Sequence, residues 1–211
     1  VYATGRSLER FRAAQNEDGL PDADGLIASA GTEIYIGENY QALYGWPQTF
    51  KAGWDRAGIV AAAKIESLTL QPASEQRPYK LSFSGRAGQS ADLQKFHAGL
   101  TEICPTAELL VSHGGEFIDI VPRASDKGAA VCYLAKKWSI PPKNIIAAGD
   151  SANDIAMLSS SKAIVVGNAY GEVREWFAGH SELPVYFAKA NFAEGISEGL
   201  DYFLGQNWGK V

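Results

Sequence analysis

Cysteine is scarce in this sequence, with Cys104 and Cys132 its 2 examples among 211 residues. Two thiols so far apart make neither a disulfide framework nor a zinc knuckle, so a reducing compartment is expected, with both thiols buried and inert. Histidine is nearly as rare. His97, His113 and His180 are scattered without HExxH-type spacing, so no zinc site is expected. No Lys/Arg run occurs and the formal net charge is only -5, which disfavours nucleic acid and acidic membrane surfaces and favours a small-molecule partner. No apolar run reaches membrane-spanning length, and the opening VYATGRSLER lacks the form of a signal peptide; a cytoplasmic protein is expected. Apolar residues are plentiful, at 46%, enough for one ordinary domain or a core with a smaller insert.

The chain opens on a β-branched and aromatic run, VYAT, then Ser7 as a helix N-cap, then an acidic turn, EDGLPDADG, and a second apolar run, LIASAG. It closes on the same grammar: NIIAAG before the helix NDIAMLSSS, AIVVGN before GEVREWFAG, and PVYFA before FAEGISEGLDYFL. Short apolar runs alternating with helices predict a doubly wound parallel-sheet α/β core of Rossmann-like type, residues 1–45 and 123–211. The texture between differs: a helix in WDRAGIVAAAKIESL, a strand YKLSF, a helix SADLQKFHAGLTEI, then strands AELLVS and EFIDIV. In YKLSF, Tyr79, Leu81 and Phe83 face one way and Lys80 and Ser82 the other. These residues are read as an inserted α+β domain, 46–122. The terminal GQNWGKV reads as a loose end.

Three stretches carry chemistry. In GDSANDIAML, Asp150 falls at the carboxyl end of a strand, the edge where open parallel sheets bind ligands, and Asp154 follows in the next helical turn. The two carboxylates can reach one point, as Mg²⁺ requires, with Asn153 orienting the shell; alternatively Asp150 and Ser151 only cap a helix and Asp154 favours its positive first turn. At a second junction, Thr4 and Gly5 offer a hydroxyl and backbone N–H groups to an anion, although Thr-Gly also ends many strands. In RASDKGAAVCYLAKKW, Ser125 reads as an N-cap, placing Lys127 in a first turn where the helix dipole disfavours a cation; a phosphate would offset that cost, and a solvated surface lysine is the alternative.

The set YATGR, SDKGAA and GDSANDIAML, in this order around an α+β insert, resembles the haloacid-dehalogenase-like phosphatases whose cap lies between the Thr and Lys motifs. ATGRS, SAGTEIY, RPYKLSF and FIDIVPRASDKGAA look like the sucrose-phosphate phosphatase branch and the related phosphatase-like domain of bacterial sucrose-phosphate synthases. The resemblance implies a Mg²⁺-dependent phosphoric monoester hydrolase that releases sucrose and phosphate from sucrose 6-phosphate through an aspartyl-phosphate. It implies that Thr4 hydrogen-bonds the transferring phosphoryl group, Lys127 neutralises it, Asp150 binds the metal, and Asp154 with Asn153 holds the site together. Asp150 and Asp154 are the implied metal residues. Gly5, Arg6, Gly31, Thr32, Glu33 and Lys80 would meet the rest of the sugar phosphate.

One part of the family pattern is missing. The DxDxT motif, source of the attacking aspartate, does not occur, and Asp22 and Asp24 have its spacing but follow the Thr motif in a turn. The beginning at Val1 suggests a fragment without its first strand, inactive by itself. A rival reading is a non-catalytic sugar-phosphate-binding domain fused to or associated with a sucrose-phosphate synthase; another is a phosphatase for a different sugar phosphate, such as mannosylfructose phosphate. Of the tryptophans, Trp46 and Trp54 are candidates for stacking on a sugar, while Trp138 and Trp176, on helices, are expected to pack.

Overall fold

A computed structural model describes residues 1–65, 68–84, 90–112 and 117–205. His113 and the segment QNWGKV, with Trp208, lie outside the described residues. The chain divides into two compact units, Val1–Ala130 and Val131–Val211.

In the first unit, β1 (Tyr2–Ala3) leads into α1 (Leu8–Asp18). Ser7 caps the helix as its sequence suggests, its hydroxyl accepting the Arg10 N–H at 3.4 Å, and Gly19, at φ 65°, ends it in the left-handed conformation. β2 (Gly25–Ala28) then pairs parallel to β1, with Tyr2 opposite Leu26 and Ala3 opposite Ile27. Instead of another helix, a tight turn at Ser29–Gly31 follows, then β3 (Glu33–Ile36) and β4 (Gln41–Ala42), both antiparallel. Gly37, at φ 76°, reverses the chain too soon after β3 for a helical crossover. This sheet, ordered β1-β2-β3-β4, is therefore mixed, with Phe11, Leu26, Ala28 and Tyr40 forming a buried cluster.

The same unit continues through α2 (Arg56–Ile65), β5 (Thr69–Leu70), β6 (Leu81–Ser84), α3 (Ser90–Ile103), β7 (Ala107–Ser112) and β8 (Phe117–Pro122). The strands make an antiparallel sheet ordered β5-β6-β8-β7. Strand alternation sends Leu81, Phe83, Ile118 and Ile120 to one face, where they pack with Ile59 and Ala63 of α2 and Phe96 and Leu100 of α3. Lys80 and Ser82 lie on the opposite face. That face is polar as read from the sequence, but the two residues are only 4% and 1% exposed, because both are drawn onto Asp119 of β8. Cys104 is buried as expected; Cys132 is exposed, since it falls on the outer side of the next helix.

That helix, α4 (Lys127–Lys137), runs across the boundary between the units. Its cap is Asp126 and not Ser125: the Asp126 carboxylate accepts the Ala129 N–H at 2.7 Å, while Ser125 sits in a preceding tight turn and donates to Pro122 O. The helix stops before Trp138, which lies in the following turn.

The second unit repeats strand and helix: β9 (Ile146–Gly149), α5 (Ile155–Ser159), β10 (Lys162–Val165), α6 (Gly171–Ala178), β11 (Val185–Phe187) and α7 (Phe192–Leu204). The strands are all parallel, in the order β11-β10-β9, as the apolar runs separated by helical segments require. Helix α5 packs on β9 and β10, and α7 on β10 and β11. Gly199 lets α7 approach closely; a β-carbon there would stand 2.5 Å from the Ile164 side chain. The α/β class with a parallel sheet, read from the sequence, is the class the structure has.

Candidate functional site

In the first unit the candidate phosphate loop is Thr4–Arg6, leaving the end of β1. Thr4 is partly exposed, and its hydroxyl oxygen accepts the Arg6 N–H at 3.1 Å. Gly5 has open space around the position of a β-carbon, and Arg6 is exposed. The loop is tied to the turn after β2: the Ser29 N–H donates to Arg6 O at 2.8 Å and the Ala30 N–H to Thr4 O at 3.1 Å. That turn has three consecutive positive φ angles, 53° at Ser29, 59° at Ala30 and 105° at Gly31. Two of these are non-glycine residues in a sparsely populated region, a feature that persists only where its surroundings over-determine it.

Those surroundings can be named. The Thr32 hydroxyl, 1% exposed, donates to Ser29 O at 3.0 Å. The Ser29 hydroxyl donates to Glu33 Oε2 at 2.6 Å. The Trp46 indole N–H donates to Gly31 O at 2.8 Å, so this ring is 3% exposed and braces the turn instead of offering a face to a sugar. Trp54 donates its indole N–H to Pro78 O at 3.0 Å. Gly31 also touches the start of α4: a β-carbon would fall 2.2 Å from Ser125 O and 2.5 Å from the Asp126 carbonyl carbon. Lys127, 4% exposed, follows immediately as the first residue of α4. Thus Thr4, Gly31 and the segment leading to Lys127 are linked through backbone contacts inside one unit.

A second polar group lies on the antiparallel sheet. Ser82 and Asp119 are directly paired across β6 and β8, and the Ser82 hydroxyl donates to Asp119 Oδ1 at 2.6 Å. Lys80 Nζ lies 3.3 Å from the same oxygen. Asp119 is a residue the sequence did not single out. Its place in FIDIV, between two apolar residues that turn to the core, was the available signal.

In the second unit Asp150 follows β9 and Asp154 ends a short 3₁₀ turn. The Asp154 carboxylate is turned back on the loop: its Oδ2 accepts the N–H of Asp150 at 3.1 Å and that of Ser151 at 3.2 Å, and the Ser151 hydroxyl lies 3.1 Å away. Gly149 makes this possible, because a β-carbon there would stand 2.6 Å from that of Asp154. Asp154 is buried, 5% exposed, whereas Asp150 and Asn153 are partly exposed. The loop is also held from α6: Glu172 Oε1 accepts the Ala152 N–H at 3.2 Å, and the Tyr170 N–H donates to Asp150 O at 2.9 Å. Glu172 is a further residue missed in the sequence, whereas Ser151 is the cap of the 3₁₀ turn, as its place in the motif suggested.

The donor set around Asp150 is all hard oxygen, which suits Mg²⁺ better than zinc or copper. Among the described residues no group of three or more His, Cys, Asp and Glu side chains converges. Mg²⁺ does not need one, since it commonly takes one or two carboxylates and completes its shell with water and substrate phosphate. Asp22 and Asp24 lie exposed in the turn before β2, where Asp22 accepts from Gln15 and Asp24 O from the Gly37 N–H.

Comparison with known proteins identifies the lineage. The family model described as sucrose-6F-phosphate phosphohydrolase matches residues 1–204. This chain belongs to that family. It is 33% identical to probable sucrose-phosphatase 1 of Arabidopsis thaliana over 223 aligned positions, which cover 98% of this chain and 51% of the relative. It therefore spans about half the length of that plant relative. The solved structure of the sucrose-phosphatase from Synechocystis sp. PCC6803, in complex with sucrose and phosphate, superposes with a TM-score of 0.88 at 30% identity, covering 96% of this chain and 83% of that one. At the level of fold alone, a haloacid dehalogenase superfamily sugar phosphatase of subclass IIB matches with a TM-score of 0.67 and 16% identity. The sucrose-phosphate phosphatase family, to which the sequence motifs pointed, is the family to which the chain belongs, and its fold is that of haloacid-dehalogenase-like proteins. Among the described residues no helix is long and apolar enough to cross a membrane.

Proposed function

We propose that this chain is the binding and charge-neutralising part of a Mg²⁺-dependent phosphoric monoester hydrolase whose substrate is sucrose 6-phosphate. The observation that carries this reading is the likeness, over 96% of this chain, to a sucrose-phosphatase solved with sucrose and phosphate. Residues 46–122 would form the cap, a reading supported by the separate hydrophobic cluster running from Ile59 to Ile120. The cytoplasm would be its compartment, consistent with the two unpaired cysteines.

Each residue then has a physical task. Thr4 donates its hydroxyl proton to a phosphoryl oxygen, and the loop that carries it leads into the N-terminus of α1, where the helix dipole favours an anion. Lys127 brings positive charge to the same phosphoryl group; its burial lowers the local dielectric and makes that charge count for more. Asp150 and Asp154 are the residues that would hold Mg²⁺, with Asn153 orienting the shell; Asp154 also shapes the loop through the Asp150 and Ser151 amides. When bound, the ion supplies charge stabilisation to the phosphoryl oxygens. Gly5, Arg6, Glu33 and Lys80 would meet the remainder of the sugar phosphate; Gly31 and Thr32 act by holding the turn behind Thr4. Most of what phosphoryl transfer needs is this kind of positioning and electrostatics. An aspartate nucleophile on a DxDxT segment is not among the 211 residues.

Phosphate release from sucrose 6-phosphate, with and without Mg²⁺, tests the reading on the 211-residue chain and on a form extended by any residues encoded upstream. Mannosylfructose phosphate and simpler sugar phosphates serve as controls. Mg²⁺-dependent release confined to the extended form, fastest with sucrose 6-phosphate, is the expected result. Silence of both forms, when folded, transfers the weight to a sugar-phosphate-binding domain without catalysis.

A further inference from the structure

We propose that Arg77 is a positioning residue for the Thr4–Arg6 loop, acting on it through Glu33 and Ser29. The proposal rests on the reading above only in taking that loop as the phosphate-binding one.

The backbone of Arg77 is fixed. Its N–H donates to Lys80 O at 3.0 Å, and its carbonyl accepts Arg56 Nη1 at 2.7 Å. The neighbouring Gln76 takes both backbone groups of Ser82 with its side-chain amide: Gln76 Nε2 donates to Ser82 O at 2.9 Å, and the Ser82 N–H donates to Gln76 Oε1 at 3.0 Å. The segment is thereby attached to β6 like an extra strand. Its guanidinium is delivered from a rigid point.

From there Arg77 reaches two acidic residues that belong to other elements. Its Nη2 pairs with Glu9, in the first turn of α1, and its Nε lies 3.6 Å from Glu33 Oε2 on β3. That Nε is buried and makes no hydrogen bond, a state that costs stability and that a modest approach to Glu33 would relieve. Glu33 Oε2 is the oxygen that accepts the Ser29 hydroxyl, and Ser29 and Ala30 are the residues whose amides grip Arg6 O and Thr4 O. A line of contacts thus runs from Arg77 to the loop: an ion pair to Glu33, a hydrogen bond from Ser29 to Glu33, and the backbone bonds from Ser29 and Ala30. It passes through a left-handed turn that cannot hold itself. Tyr35, beside Glu33, adds no competing charge: burial, and then the Glu33 carboxylate, push its pKa up to about 12.

Chemically, Arg77 keeps the Glu33 charge paired and its carboxylate aimed at Ser29. Without Arg77 the carboxylate is free to swing to water, and the Ser29–Gly31 turn loses the brace from Glu33, keeping those from Thr32 and Trp46. Lysine in its place keeps the charge but not the fork, so it should restore the function only in part.

The test is amide hydrogen exchange in the full protein, comparing the natural sequence with Arg77→Met and Arg77→Lys. The Ser29 and Ala30 amides are expected to exchange about tenfold faster in Arg77→Met, the size expected when a hydrogen bond to a charged group is lost, with Arg77→Lys between. Phe83 and Ile118 amides should keep their protection and so certify the fold. Unchanged exchange at Ser29 and Ala30 in folded Arg77→Met overturns the proposal. If Arg77→Met does not fold, Glu33→Gln carries the same measurement. A kinetic arm separates a brace from a sugar contact. A brace lowers kcat/KM equally for sucrose 6-phosphate and para-nitrophenyl phosphate; a loss confined to sucrose 6-phosphate overturns it. If the unsubstituted protein releases phosphate from neither ester while the two amides still respond to Arg77, the hydrolase reading fails and the brace stands.

Discussion

Gly31 lies so close to Ser125 that a β-carbon on it would stand 2.2 Å from the Ser125 carbonyl oxygen. The opposing atom is backbone and cannot rotate away, and Gly31 also has a φ of 105°, which side-chain-bearing residues avoid. Gly31→Ala is therefore expected to lose about 2 kcal/mol or more of stability, combining overpacking with backbone strain. Urea unfolding at constant m-value measures it. Full retention of stability would mean that the turn and the start of α4 can separate without cost.

Asp150 and Asp154 should fail differently. Asp154 Oδ2 satisfies the amides of Asp150 and Ser151, so Asp154→Ala leaves two donors without their acceptor and is expected to cost about 1–3 kcal/mol. Asp150→Asn should leave the melting temperature nearly unchanged and abolish Mg²⁺-dependent phosphate release in a form that turns over. Equal activity with and without Asp150 would remove it from the metal site.

The Lys80–Asp119 pair offers a double-mutant cycle. Lys80 is 4% exposed and shares Asp119 Oδ1 with the Ser82 hydroxyl. Lys80→Met alone strands a carboxylate on a mostly buried face and should cost about 2 kcal/mol, less than breaking a fully buried pair because Asp119 retains Ser82 and some solvent. Adding Asp119→Leu should recover much of that loss. Additive costs in the cycle would show that the two side chains do not depend on each other.

Glu198 gives a pH dependence with a definite sign. Its carboxylate accepts the Ala190 N–H at 2.9 Å, the Tyr186 hydroxyl at 2.7 Å and the Lys189 N–H at 3.0 Å. These bonds, the Ala190 amide first and then Tyr186, lower its pKa below the ordinary 4.5. A depressed carboxylate stabilises the fold fully above the unfolded value and loses that contribution as pH falls through the folded one. Glu198→Gln should therefore melt below the unsubstituted protein at pH 7, with the gap closing as pH is lowered past 4.5. A gap that stays constant into acid would mean that the charge on Glu198 is not what the three donors hold.

Most of the framework was legible because its signals are local. Ser7 announced the start of α1, the apolar runs NIIAAG, AIVVGN and PVYFA became β9, β10 and β11, and the two-residue alternation in YKLSF placed Leu81 and Phe83 in a core. What was illegible depended on contacts distant in sequence. LIASAG read as a second apolar run in a parallel core, and nothing local showed that β3 returns antiparallel to it. Trp46 resembled a sugar platform because nothing near it in sequence shows that its N–H is taken by Gly31, 15 residues away. Asp119 and Arg77 gained meaning only from partners 37 and 68 residues distant, Ser82 and Glu9. Even the acidic pair of GDSANDIAML was half visible. Its spacing suggested two carboxylates within reach of one point, but not that Gly149 lets Asp154 accept the amides of Asp150 and Ser151.

The indole of Trp46 gives the protein an optical channel once the other four tryptophans are replaced by phenylalanine. The ring is shielded from water and its N–H is held by the carbonyl of Gly31, so its fluorescence should be blue-shifted and poorly quenched by dissolved iodide. Any ligand that loosens or tightens the Ser29–Gly31 turn changes the polarity and hydrogen bonding felt by that excited state. Occupancy of the Thr4–Arg6 loop should thus be readable by emission spectroscopy without an attached dye, and in a form that performs no chemistry at all.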